Sequence, residues 1–62
     1  MNTRQILKLI TDDGWFFDRG NGSHRQYKHP VKPGTVTVSF HGANADVDPK
    51  TLKSIKRQAG LQ

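Results

Sequence analysis

The sequence predicts an α+β fold in the order α-β-β-β-α, in which two helices cover one face of a three-stranded antiparallel sheet. Three observations support this prediction. Apolar residues recur at helical spacing near both ends of the chain, residues 35–40 alternate between apolar and polar side chains, and glycine- and proline-rich turns separate the segments between them. Because the chain has only 62 residues, we expect a single domain over 1–62.

The first helix is predicted over residues 3–13. Its apolar residues lie largely on one side, with polar residues opposite: Ile6, Leu7, Leu9 and Ile10. Asn2 or Thr3 can cap its start, and Gly14 supplies the left-handed backbone conformation that commonly closes a helix.

Two strands joined by a hairpin turn are predicted next. Residues 15–17 are aromatic and favour a strand, residues 18–22 are turn formers, and residues 23–28 favour a second strand. The period of two divides that second strand into two faces, one with His24, Gln26 and Lys28 and the other with Ser23, Arg25 and Tyr27.

The third strand and the second helix complete the predicted fold. Two prolines place a loop at 29–34, and the β-branched run that follows predicts a strand over 35–40 with its apolar residues on one face. Asp48 and Pro49 are a helix cap and a first helical residue, so a second helix is predicted over 49–59. The aromatic side chains are expected to fill the core, with at most Phe16 exposed.

Charge and composition narrow the class of protein. Ten Lys and Arg against five Asp and Glu give a net charge of +5, which makes a nucleic acid the leading partner, although excess lysine can also serve solubility alone. The absence of cysteine excludes disulfides and thiolate zinc sites and favours the cytoplasm. No apolar run approaches the ~20 residues of a membrane span, so no membrane partner is expected.

The histidines are the candidate groups for proton transfer near neutral pH. His24 follows a glycine-rich turn on a polar strand face with Lys28, where it could serve phosphoryl transfer or be an ordinary surface residue. His29 precedes a proline and favours a loop or strand-end role. His41 precedes Gly42, where it could contact phosphate or simply end the strand.

Other chemistries fit the sequence poorly. The spacing of the three histidines matches no short zinc signature, so no metal and no other cofactor are expected. Ser23 is the neighbour of His24 on a strand, so their side chains point to opposite faces and cannot form a nucleophile–base pair.

Several segments resemble the HicA family of bacterial toxins. They are Asp13-Gly14-Trp15, residues 22–30 with Gly22-Ser23-His24, the Val36-Thr37-Val38 strand leading to His41-Gly42, and residues 51–61. The likeness covers nearly the whole chain. It departs from many family members at Ser39-Phe40, where those members have Val-Pro before the later histidine.

The resemblance implies a fold like the double-stranded-RNA-binding domain and mRNA cleavage by the toxin of a type II toxin–antitoxin pair, neutralised by a HicB-type antitoxin that covers the active site. It implies His24 as the catalytic residue. We expect a metal-independent endoribonuclease, with RNA-binding positions at Ser23, Arg25, Lys28 and His41. Alternation places Arg25 on the face opposite His24 unless a bulge re-aims it. The alternative functions are a non-catalytic RNA-binding module of the same fold and gene regulation together with the antitoxin.

Overall fold

The order of elements confirms the predicted α+β fold. A computed structural model describes residues 1–61. It contains α1 (Thr3–Asp12), β1 (Phe16–Asn21), β2 (His24–Lys28), β3 (Val36–Ser39) and α2 (Pro49–Gln58). The strands form one antiparallel sheet in the order β1-β2-β3, so β2 is central and carries a partner on each side.

Both helices begin at side-chain caps. Asn2 and Gln5 form a capping box, in which the side chain of each accepts a hydrogen bond from the backbone N–H of the other at 2.9 Å. In α2 the Asp48 carboxylate accepts a 2.7 Å hydrogen bond from the Thr51 N–H, and this bond lowers the pKa of Asp48. The two helices end one residue earlier than predicted, because Asp13 and Ala59 are their C-terminal caps.

The core lies between the two helices and one face of the sheet. Eight apolar residues form it, none of them from β1: Ile6, Ile10, Trp15, Tyr27, Val36, Val38, Ile55 and Ala59. Burial of each larger side chain stabilises the fold by about 1.5–3 kcal/mol. Because all of them lie on the helix side, the opposite face of the sheet is free of any covering element within residues 1–61.

The predicted turn over 18–22 is wrong in its position. β1 continues to Asn21, and the loop is the two-residue segment Gly22-Ser23. The turn formers are accommodated because the pairing with β2 shifts between Phe17 and Arg19, where Asp18 is the extra residue of a β-bulge. Gly22 has a φ of 63°, which fits the first loop position of a type II′ hairpin.

The prediction that at most Phe16 is exposed is also wrong. Phe16 and Phe17 are 50% and 54% exposed, respectively. Phe17 lies on the helix side of β1, which is an edge strand, and its ring meets Tyr27 edge-on at 5.9 Å between centroids. Phe40 is half-buried and lies just beyond β3, which is shorter than the predicted strand over 35–40.

His29 and Lys32 join the loop after β2 to the ends of both helices. The Nδ1 atom of His29 accepts from the backbone N–H groups of Val31 and Lys32, so the ring proton is on Nε2 and is donated to the Asp13 carbonyl at 2.7 Å. Lys32 Nζ donates to the Asp13 carboxylate at 2.6 Å and to the Ala59 carbonyl at 3.1 Å. The hydrogen bond from Lys32 holds the pKa of Asp13 below its usual range. We call these four residues, Asp13, His29, Lys32 and Ala59, the helix-end cluster.

Candidate active site

The uncovered face of the sheet carries almost all of the polar strand side chains. Residues paired in register point to the same side, and Tyr27 pairs with buried Val36, so the neighbours of Tyr27 along β2 point away from the helices. We call this the open face, and its residues are Phe16, Arg19, Asn21, His24, Gln26, Lys28, Thr37 and Ser39.

His24 is the first residue of β2 and is exposed on the open face. It pairs with Asn21 of β1 on one side and with Ser39 of β3 on the other. The tight loop before it and the ladders on both sides fix the backbone from which its imidazole projects. An accessible imidazole held in this way is a suitable group for proton transfer to or from a bound ligand.

A shallow depression of about 110 Å³ surrounds His24, lined by Arg19, Gly20, Asn21, His24 and Gln26. Arg19 also lines it, and its charge is shared with the Asp18 carboxylate, to which its Nε donates at 3.2 Å. The depression therefore combines a proton carrier, a cation and amide donors, a combination suited to a phosphodiester.

The structure separates the predicted RNA-binding residues. Lys28 is on the open face, about 13 Å from His24 along β2 at roughly 3.3 Å per residue. Ser23 lies in the hairpin loop and is half-buried, and its carbonyl accepts a hydrogen bond from the Phe40 N–H.

Arg25 lies on the helix side, as alternation along the strand predicts. It pairs with Val38, and its guanidinium lies 3.9 Å above the Phe40 ring. The bulge at Asp18 re-aims β1 and leaves β2 regular, so Arg25 is not brought to His24.

His41 is exposed in a separate depression of about 280 Å³ beyond the end of β3, lined by residues that include Ser39, Asp46 and Asp48. Two carboxylates there make the electrostatic surroundings of His41 less favourable for a phosphate than those of His24.

Three open-face neighbours of His24 were not predicted as site residues: Arg19, Asn21 and Ser39. Arg19 and Asn21 fell within the predicted turn. The sequence signal that could have placed them is Gly22-Ser23, because a glycine followed by serine suits a two-residue hairpin loop and fixes Asn21 opposite His24.

Within residues 1–61, no three His, Asp or Glu side chains lie close enough together to hold a metal ion. In the same range, no helix is both long and apolar enough to cross a membrane.

Comparison with solved structures and with protein families agrees with this architecture. None of the curated proteins matches the chain. In three dimensions the chain is similar to a chain of a solved structure described as "Toxin-Antitoxin complex from Streptococcus pneumoniae", with a TM-score of 0.77 and 29% sequence identity over 98% of each chain. Residues 3–61 match the family described as "HicA toxin of bacterial toxin-antitoxin". The chain therefore belongs to the HicA family and is the toxin of a toxin–antitoxin system.

Proposed function

We propose that the protein is an endoribonuclease that cleaves mRNA without a metal ion and uses His24 as its proton-transfer group. The main observation behind this proposal is the exposed His24 imidazole in a depression of the open face that Arg19 also lines. The HicA family membership supports it, because RNA cleavage is the activity that the family resemblance implies.

In the proposed reaction the ribose 2′-hydroxyl attacks the adjacent phosphorus. His24 accepts the proton of that hydroxyl as the bond from the 2′-oxygen to phosphorus forms. The bond from phosphorus to the 5′-oxygen of the next nucleotide breaks, and that oxygen takes up a proton from water or from the protonated imidazole. The products are a 2′,3′-cyclic phosphate and a 5′-hydroxyl, and a positioned proton carrier contributes about 10²–10⁴-fold to such a step.

The groups beside His24 are suited to stabilise the charge on the non-bridging oxygens. Arg19 lines the same depression as His24, whereas Arg25 lies on the other face of the sheet. We therefore assign phosphate binding at the reacting centre to Arg19, with the Asn21 amide as a neutral donor beside it. Lys28 binds the RNA backbone farther along the open face.

The antitoxin is proposed to be of the HicB type and to cover the His24 face. A solved toxin–antitoxin complex contains a chain similar to this one, which supports a protein partner. The open face is cationic and its depression is shallow, so acidic or bulky side chains laid over His24 would exclude RNA.

The His24→Ala and His24→Gln variants test the catalytic role. Incubation with labelled single-stranded RNA in EDTA should show cleavage by the wild-type protein and a loss of 100-fold or more in the variants. Because His24 is exposed, the far-UV spectrum, the melting temperature and the RNA affinity should be unchanged. Added imidazole should restore part of the cleavage by a His24→Gly variant.

The His29→Gln variant provides a matched control, because it removes a histidine from the helix-end cluster instead of the open face. It should lower the melting temperature. At temperatures where the variant is folded, it should cleave RNA at the wild-type rate. A folded His24→Ala protein that cleaves RNA at the wild-type rate would contradict the assignment. If the wild-type protein shifts the labelled RNA in a gel and leaves it intact, the protein is instead a non-catalytic RNA-binding module.

A further inference from the structure

Phe16 is a half-exposed aromatic ring on the same face as His24. Its neighbour Phe17 is equally exposed but lies on the helix side, where it packs edge-on against Tyr27 and covers Gly20. Among residues 1–61, Phe16 takes part in no aromatic pair and does not belong to the core or to the side chains packed against it. Packing therefore explains the position of Phe17 and leaves that of Phe16 unexplained.

The surroundings of Phe16 are cationic and polar. Lys28 is directly opposite it on β2, and Arg19 is the next open-face residue on β1. The open-face strand positions described above include no Asp or Glu, and the carboxylate nearest to them in sequence, Asp18 at the bulge, is bound by Arg19. The part of the open face around Phe16 therefore combines one aromatic ring with cations and amides. It has the composition of a surface that binds single-stranded nucleic acid.

We infer that Phe16 stacks on an unpaired base of the RNA substrate, a few nucleotides from the phosphate at His24, while Lys28 binds the backbone between them. This inference rests on the proposed function. β2 runs between the two positions over about 13 Å at roughly 3.3 Å per residue, so one strand of RNA can reach both. The open face therefore holds a reacting site at one end and a base-stacking subsite at the other.

A stacking role for Phe16 requires RNA whose bases are unpaired. Every base has a face that can stack on an aromatic ring, so the subsite tolerates many sequences. In a duplex the bases are already stacked and paired, so Phe16 has no base to contact. Its contribution should be confined to single-stranded RNA, and a duplex of the same sequence should be insensitive to it.

The test measures binding in the His24→Ala background, where the RNA is not cut. Phe16→Ala should weaken the affinity for a fluorescent single-stranded RNA by roughly 5- to 150-fold, the range for truncation of a stacking aromatic. Phe17→Ala is the matched control, since it removes the same side chain from the neighbouring residue on the other face, and it should leave the affinity unchanged. Phe16→Trp should restore binding, and RNA should quench the fluorescence of the new indole.

Three outcomes overturn the inference. The first is an unchanged affinity in Phe16→Ala, and the second is an equal loss in Phe16→Ala and Phe17→Ala. The third is a loss of antitoxin affinity with no loss of RNA affinity, which would identify Phe16 as a protein contact. If these occur while the wild-type protein cleaves RNA, the nuclease proposal stands and only the stacking subsite is wrong. If neither binding nor cleavage of RNA is seen, both proposals fall together.

Discussion

His24 and His29 are close in sequence and have opposite surroundings. The His29 ring is only 9% exposed, meets Trp15 edge-on at 5.1 Å between centroids and has hydrogen-bond partners on both nitrogens. His24 projects into solvent from a strand that is fixed on both sides. The same side chain is therefore structural at one position and available for chemistry at the other.

Gly14 is a residue at which the fold requires the absence of a side chain. Its φ is 110°, and a Cβ atom there would lie 2.6 Å from Nε2 of His29, the atom that donates to the Asp13 carbonyl. Gly14→Ala should therefore lower the free energy of unfolding by more than the ~1–2 kcal/mol of the left-handed conformation alone. Urea denaturation of the wild type and the variant measures the difference.

Gly34→Ala is the control for this substitution. Gly34 also has a positive φ, 86°, but a Cβ there would meet no atom within 4 Å. Gly34→Ala should lower the free energy of unfolding only by the cost of the left-handed conformation. The additional loss in Gly14→Ala then measures the clash with His29. Equal destabilisation of both would show that the His29 ring can move aside at no cost.

At the scale of the element, the helices were the most predictable part of the chain. The caps at Asn2 and Asp48 and the apolar spacing placed both within one residue of their observed ends. β1 was the least predictable element. Turn-forming residues within it indicated a loop, and only its pairing with a complete β2, with Asp18 as a bulge, keeps them in the sheet.

Because the turn was predicted over residues that belong to β1, the sequence did not predict which residues of β1 lie beside His24. A bulge reverses which residues face which side, so the positions of Arg19 and Asn21 depend on Asp18 and cannot be read from the period of two. In regular β2 the alternation was enough to place His24 and Lys28 together and Arg25 opposite. The exposure of Phe17 could not be predicted either, because it follows from the edge position of its strand.

The helix-end cluster should make stability depend on acid pH. The hydrogen bond from Lys32 lowers the pKa of Asp13 in the folded protein, so this contribution is complete above the ordinary pKa of 3.8 and is lost as the pH falls below it. Lys32→Met should lower the melting temperature near neutral pH and flatten its decline below pH ~4. Asp48 should contribute to the acid decline of both proteins, because its pKa is lowered by a different bond.

Lys8→Met is the matched control for Lys32→Met. Lys8 pairs with Asp12 at 3.3 Å on the exposed side of α1, where the two side chains are 77% and 66% exposed. Solvent screens such a pair, so its loss should change the melting temperature little at any pH. Identical pH profiles for the Lys8 and Lys32 variants would contradict the role given to the helix-end cluster.

At the scale of the whole molecule, the two faces of the sheet have separate tasks. The helix side holds the buried apolar residues, and the open face holds His24, Arg19, Lys28 and the exposed ring of Phe16. The net charge of +5 favours polyanions in general, whereas the specific contacts proposed above are confined to the open face.

RNA and the antitoxin are therefore expected to compete for the open face. Titration of the protein encoded next to this chain into a complex of His24→Ala with fluorescent RNA should release the RNA. A stable ternary complex would show that the antitoxin binds elsewhere on the surface.

The affinity for single-stranded RNA should also fall as the salt concentration rises, with a log–log slope of about −0.7 per phosphate contacted.

The position of His24 outside the core has a consequence for how such a gene can change. None of the eight core residues is an open-face residue, so a substitution at His24 that abolished the proposed cleavage would leave the fold intact. A silenced copy would keep most of the surface that its inhibitor recognises. It would then draw inhibitor away from active copies in the same cell, so an inert duplicate could increase the toxicity of its active relatives.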